Sequence, residues 1–212
     1  MALYLDSAIA SEAKIVQNWG WVKGITTNPT LLAQAQTPPE TTLKTLAALT
    51  SGPLYYQLLS SDKQGMITEA RKAFDIIGSQ TILKIPATPV GFEVVATLSS
   101  EITCSVTGIY SPAQATIAKE AGAKIAIAYV NRATRLLGDG IALVQDMANV
   151  LKGSGVEILA ASIKSQSEAA ASLLAGADHL TLPLSMLQAM ATHQLSEQTV
   201  ADFAASGIGL KI

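Results

Sequence analysis

The chain has 212 residues, of which 49% are apolar and 14% charged, and its formal net charge is −2. That length suits one full domain with a sizeable core, and that composition excludes a disordered chain. With Lys and Arg scattered rather than massed, nothing attracts nucleic acid or an anionic membrane at long range, so any phosphate recognition must be local.

One alternation runs through the chain. A β-prone run at Ala2 to Leu5 leads through Asp6 to helical composition over Ser11 to Asn18. Trp21 to Ile25 is followed by Thr26, Thr27 and Asn28, a helical region that Thr37-Pro38-Pro39 breaks in two, and a helix over Thr41 to Leu49. Leu54 to Leu58 pairs with Asp62 to Ile77, and Thr81 to Ile85 with Gly91 to Leu98. The second half repeats the unit: Ile102 to Val106 with Pro112 to Ala121, Lys124 to Tyr129 with Ile141 to Leu151, Val156 to Ala160 with Gln166 to Leu174, and His179 to Leu182 with Leu184 to Thr192.

Such strand–helix units predict parallel strands joined by right-handed crossovers, and the simplest closed solution is an α/β fold, a (β/α)8 TIM barrel over residues 1–195. An open doubly wound sheet would need a glycine-rich phosphate fingerprint after the first strand, and Asp6-Ser7-Ala8-Ile9 is not one. Residues 196–212 are expected to add a C-terminal helix, capped by Ser196 and running to Ser206. Val200, Phe203, Ile208, Leu210 and Ile212 give this tail an apolar side, to pack on its own barrel or on a neighbouring subunit.

Lys84 lies inside the apolar run Thr81-Ile82-Leu83-Lys84-Ile85-Pro86. Strands apolar on both faces belong to covered parallel sheets, so this lysine is expected to be enclosed. Burial penalises its ammonium and favours the free amine that attack on a carbonyl requires. The alternative is a strand-end lysine whose stem packs while its ammonium reaches solvent.

In a (β/α)8 barrel the active site forms where strands run into their following loops, and polar residues recur there: Asp6, Thr26, Asn28, Gln57, Thr107, Tyr129, Arg132, Ser162 and Lys164. Plainer readings exist. Asp6 can cap a helix starting near Ala8, Thr26-Thr27-Asn28-Pro29 can be a simple helix-entry turn, Tyr129 can pack its ring, and Arg132 and Arg135 can be solvated. Gln57 resists this, because a buried amide needs partners. Ser165 and Glu168 have capping-box spacing, so a helix starts there whose backbone amides, with Arg132, suit a phosphate; equally, Ser165 only caps.

Cys104, the one cysteine, reads as a small buried hydrophobe in a protein of a reducing compartment, with no intrachain disulfide. His179 and His193 lack metal-ligand spacing, so no metal is expected. No basic leader or membrane-length apolar run is apparent, and a soluble protein is expected.

Leu5-Asp6-Ser7, Gly24-Ile25-Thr26-Thr27-Asn28-Pro29, Leu83-Lys84-Ile85-Pro86, Thr107-Gly108-Ile109-Tyr110-Ser111-Pro112-Ala113-Gln114, Tyr129-Val130-Asn131-Arg132 and Ala160-Ala161-Ser162-Ile163-Lys164 resemble the transaldolase family. The resemblance follows the chain in order and is closest to the short subfamily that includes fructose-6-phosphate aldolase. It implies a class I aldolase with neither metal nor organic cofactor. Lys84 would form the Schiff base and Asp6 would handle protons. Thr26 and Asn28 would orient a dihydroxyacetone unit, and Arg132 and Ser162, with Lys164, would hold a phosphate on the aldehyde portion.

Transaldolases proper carry a glutamate where this chain has Gln57, whereas fructose-6-phosphate aldolases have glutamine and rely on a tyrosine after the sixth strand. Gln57 and Tyr129, with Thr107 helping to hold a shared water, therefore favour aldol cleavage and addition. The alternatives are transfer of the dihydroxyacetone unit between sedoheptulose 7-phosphate or fructose 6-phosphate and an aldose phosphate, as in the pentose phosphate pathway, and a non-catalytic sugar-phosphate-binding barrel. Ile127 and Ala128 depart from the family pattern and are expected to narrow or reset the acceptor side. Tyr55 and Tyr56 carry no motif role. The resemblance also implies a cytoplasmic homo-oligomer, with a ring-based decamer as one form.

Overall fold

A strand with apolar side chains on both faces must be covered on both, and β4 (Thr81–Pro86) is such a strand, with Leu83 and Ile85 on one face and Ile82 and Lys84 on the other. In the computed structural model, which describes residues 1–210, closure into a barrel meets that demand. The preceding elements are β1 (Ala2–Asp6), α1 (Ala10–Gln17), β2 (Val22–Thr26), α2 (Pro29–Gln34), α3 (Pro39–Leu49), β3 (Leu54–Gln57) and α4 (Lys63–Ile77). After β4 come α5 (Pro89–Leu98), β5 (Thr103–Ile109), α6 (Pro112–Glu120), β6 (Ile125–Tyr129), α7 (Val130–Leu137) and α8 (Gly140–Leu151). The chain then runs through β7 (Glu157–Ala161), α9 (Gln166–Leu174), β8 (His179–Leu182), α10 (Leu184–Met190) and α11 (Gln194–Ser206). The strands pair in parallel from β1 through β8, and β8 closes on β1. The chain is the expected (β/α)8 barrel.

Local chemistry sets where the helices start. Asn28, Asp62, Thr88, Ser111, Asp139 and Ser165 each accept a first-turn backbone N–H, an arrangement worth about 1 kcal/mol apiece. Two stretches differ from expectation. α7 follows β6 with no intervening turn and buries Val130 and Ala133, a helix that the turn and cap signals had not marked. α11 begins at Gln194, because His193 Nδ1 takes the Leu195 N–H at 3.2 Å, rather than at a Ser196 cap.

The tail is not packed on its own barrel: residues 191–210 are all exposed, including Val200, Phe203 at 70%, Ile208 and Leu210. Ile212 lies outside the described residues. Among the described residues no helix is long and apolar enough to cross a membrane.

The core has two layers. Leu5, Ile25, Leu54, Leu83, Ile85 and Val106 meet the helices, and Cys104 sits in this layer, its thiol pushed up to about 12 by burial and directed at the Ile102 carbonyl. Inside the barrel, Tyr4, Tyr55, Ile125, Ile127 and Leu159 pack together. At the barrel's base His179 has a structural role: Nδ1 accepts the Ala2 N–H at 3.0 Å and Nε2 lies 3.1 Å from Glu157. With the floor filled this way, the open end of the barrel is the mouth at the strands' C-terminal ends.

Candidate active site

Strand alternation turns Lys84 into the barrel, beside Gln57 of β3 in the parallel register. The side chain is enclosed, at 2% exposure, so it does not reach bulk solvent as a strand-end lysine would. Its Nζ donates to the Thr27 carbonyl at 2.9 Å. Desolvation lowers the pKa of this amine; the nearby charge of Asp6 pulls the other way, and burial prevails. The Thr27 carbonyl is fixed in turn, because the backbone N–H and hydroxyl of Thr27 both bond to the Tyr55 carbonyl, at 3.1 and 2.8 Å.

Above Lys84 opens a cavity of about 420 Å3. Eight of the expected site residues line it: Asp6, Asn28, Gln57, Lys84, Tyr129, Arg132, Ser162 and Lys164. Thr26 and Thr107 stand behind this wall. The turn reading of Thr26-Thr27-Asn28-Pro29 also holds, since Asn28 Oδ1 caps α2 through the Leu31 N–H at 3.0 Å while the side chain lines the cavity.

Asp6 does not cap a helix. α1 starts later, after Ile9, and Ser7 Oγ takes the Ile9 N–H. Instead Asp6 Oδ1 accepts from Thr26 Oγ1 at 2.8 Å, and Thr26 Oγ1 lies 2.5 Å from Thr181 Oγ1. A hydroxyl has one proton, so when Thr26 donates to Asp6 it must accept from Thr181. Thr26 is wholly buried, and the structure gives its hydroxyl to Asp6 rather than to the cavity where a substrate hydroxyl would sit. Sequence reasoning missed Thr181; the available signal was its place two residues after His179 on β8, which puts both on the inner face.

On the opposite wall, Thr107 Oγ1 donates to the Tyr129 hydroxyl at 3.0 Å, which leaves the phenol's own proton free for the cavity. The register between β5 and β6 shifts between Thr107 and Ile109, where Gly108 has a φ of 72°. A bulge of this kind re-aims the residue beside it, here Thr107. The Arg132 guanidinium lies 4.8 Å from the centroid of the Tyr129 ring, in cation–π contact. Gln57 Oε1 is buried, and among the described residues it has no hydrogen-bond partner.

Ile127 packs beneath the site in the interior cluster and Ala128 faces the helix layer, so neither lines the cavity, and the expected narrowing does not come from them. Tyr55 packs edge-on to Tyr4, with ring centroids 5.4 Å apart, while Tyr56 points outward and donates to Glu69 at 2.8 Å.

At the third wall Ser162 leaves β7 with a φ of 62°, in the left-handed region that a non-glycine residue adopts at a cost. α9 starts after a Ser165 cap as expected: Ser165 Oγ accepts the Glu168 N–H at 3.0 Å. The Lys164 N–H, however, is taken by the Glu168 carboxylate, so an anion would rely on the side chains of Arg132, Ser162 and Lys164 more than on amides. No group of three or more His, Cys, Asp or Glu side chains suited to a metal ion occurs among the described residues.

The family model described as transaldolase/fructose-6-phosphate aldolase matches residues 3–209. A probable transaldolase of Aquifex aeolicus is 34% identical over 200 residues, 93% of this chain and 92% of that protein. Another, of Kosmotoga olearia, is 33% identical over 206 residues, covering 96% and 94%. Among solved structures, a mandelate oxidase mutant superposes with a TM-score of 0.64 at 18% identity, over 94% of this chain and 70% of that one, a likeness of fold alone.

Proposed function

The chain belongs to the transaldolase/fructose-6-phosphate aldolase family, and from that premise we propose that it is a class I aldolase that makes or breaks the carbon–carbon bond of a ketose such as fructose 6-phosphate. One observation carries the reading: Lys84 is an enclosed amine at a polar cavity, hydrogen-bonded to a neutral carbonyl. Desolvation favours the uncharged form, whose lone pair is the nucleophile.

In this reading Lys84 Nζ adds to the ketone carbon, and the former carbonyl oxygen takes up protons and leaves as water, giving an iminium. Cleavage of the adjacent carbon–carbon bond sends its electron pair into the iminium, which becomes an enamine of the dihydroxyacetone unit, while the other fragment departs as an aldehyde. The enamine is then protonated and hydrolysed, or adds to a second aldehyde.

Asp6, steadied by Thr26, serves the proton steps at nitrogen and oxygen and offsets the iminium charge. In the addition direction Tyr129 gives its free proton to the aldehyde oxygen, and in cleavage it takes that proton back, with Gln57 beside it. Asn28 keeps its side-chain NH2 for a hydroxyl of the donor, because only its Oδ1 caps α2. Arg132, Ser162 and Lys164 would hold the phosphate of the aldehyde portion. We extend the proposal to a cytoplasmic homo-oligomer, supported by the apolar side chains that α11 leaves exposed.

Transfer of the dihydroxyacetone unit between phosphorylated sugars is the second reading, favoured by the relatives, which are named probable transaldolases. Gln57 argues for the first, since an amide cannot take a proton as a carboxylate does. Incubation with fructose 6-phosphate alone separates them. Release of free dihydroxyacetone and glyceraldehyde 3-phosphate is expected, whereas turnover only after addition of erythrose 4-phosphate would establish transfer.

A further inference from the structure

Three segments around the anion end of the cavity meet at one carboxylate. Glu168, in the first turn of α9, accepts the Lys164 backbone N–H at 2.6 Å on Oε2 and the Asn131 side-chain amide at 3.3 Å on Oε1. Asn131 closes the ring by donating its backbone N–H to the Ser162 carbonyl at 3.1 Å. The start of α7 and the β7–α9 loop are thereby tied together on both sides of the cavity wall. Arg132 directly follows Asn131, and Ser162 and Lys164 belong to the tied loop.

One feature of this carboxylate, and one of the loop it ties, point beyond capping of its own helix. A capping-box glutamate returns to the N–H of the capping residue, here Ser165; Glu168 instead reaches Lys164 and crosses to α7. Ser162 also keeps its left-handed φ of 62° without being glycine, and such a conformation persists only where its surroundings hold it. The Asn131 bond to the Ser162 carbonyl is one such restraint.

We propose that Glu168 is a positioning residue that sets the preference for phosphorylated over unphosphorylated aldehydes, by holding Arg132, Ser162 and Lys164 in one anion pocket. The inference rests on the aldolase reading and adds the residue on which its phosphate recognition depends. The sign of its effect is diagnostic. A bare carboxylate near an anion site repels the anion, so if charge alone mattered, removing Glu168 would tighten phosphate binding. As a latch, removing it loosens that binding.

The test uses wild type, Glu168→Ala, Asn131→Ala and the double variant, with dihydroxyacetone as donor and either glyceraldehyde 3-phosphate or glyceraldehyde as acceptor. Borohydride trapping on Lys84 reports whether the catalytic centre is assembled in each. In Glu168→Ala the ratio of kcat/KM for the phosphorylated over the plain aldehyde falls about tenfold, through a higher KM for the phosphorylated one. Asn131→Ala, which keeps the Lys164 bond, falls about threefold, and the double variant matches Glu168→Ala, since both residues act in one ring. A ratio that stays or rises in the single variants, or an equal loss with both acceptors, overturns the proposal. If Glu168→Ala fails to fold, Asn131→Ala decides by the same ratio. A wild type that neither traps nor turns over overturns the aldolase reading and this inference with it; a wild type that does both beside variants of unchanged ratio overturns the latch alone.

Discussion

Thr181 and Thr26 stand hydroxyl to hydroxyl at 2.5 Å inside the barrel, and Thr26 donates its own hydrogen bond to Asp6. Both are buried, so the chain from β8 through β2 to β1 fixes one carboxylate oxygen of Asp6 and leaves the other for chemistry. Thr181→Val removes the donor and frees Thr26 to turn. The expected result is a fall in kcat of about tenfold to a hundredfold, the scale of a small misplacement of a catalytic group, with Thr181→Ser recovering most of it. Equal loss in both variants would show that packing, not the hydroxyl, matters.

Tyr129→Phe removes the proton that Thr107 leaves free. The carbon–carbon step is expected to slow by about a hundredfold to ten-thousandfold, the range for losing a general acid. Schiff-base formation, which Tyr129 does not serve, is expected to continue. Borohydride trapping beside aldol turnover measures the two separately.

Burial lowers the Lys84 pKa, which makes a prediction about stability. Between the folded pKa and the ordinary value of 10.5 the unfolded chain binds the extra proton, so stability rises with pH across that window. The cost of Lys84 is therefore fully present below the folded pKa and disappears as pH approaches the ordinary value. Lys84→Met is expected to be inactive but more stable at neutral pH by about 1–3 kcal/mol, the scale of removing a buried polar group. The gap in denaturant midpoint is expected to close as pH rises.

Gly108 has a φ of 72°, yet a Cβ there would meet nothing within 4 Å. Gly108→Ala therefore isolates backbone strain from crowding. A loss of about 1–2 kcal/mol in urea unfolding is expected, together with a fall in kcat as Thr107 turns from Tyr129.

Much of the barrel was legible because its signals are local. The apolar strand runs, and the Ser165 cap at the start of α9, are written in adjacent residues. α7 was not legible, because it grows out of β6 without a cap or a turn residue at its start. Lys84 could be read as enclosed because its neighbours in the strand are apolar. That Thr26 serves Asp6 was hidden, since the two lie 20 residues apart on different strands and the second partner of Thr26, Thr181, is 155 residues away. Glu168 announced its capping spacing but not its bond to Asn131, 37 residues upstream, because tertiary bonds leave no period in the sequence.

The central claim is that Lys84 carries the substrate as an iminium. Borohydride reduction of the protein in the presence of dihydroxyacetone, followed by peptide mass mapping, tests it most directly. The account predicts a stable three-carbon adduct on Lys84, absent from Lys84→Met and formed fastest at a pH below that of an ordinary lysine amine. An unmodified Lys84, or the same label on Lys84→Met, would contradict it.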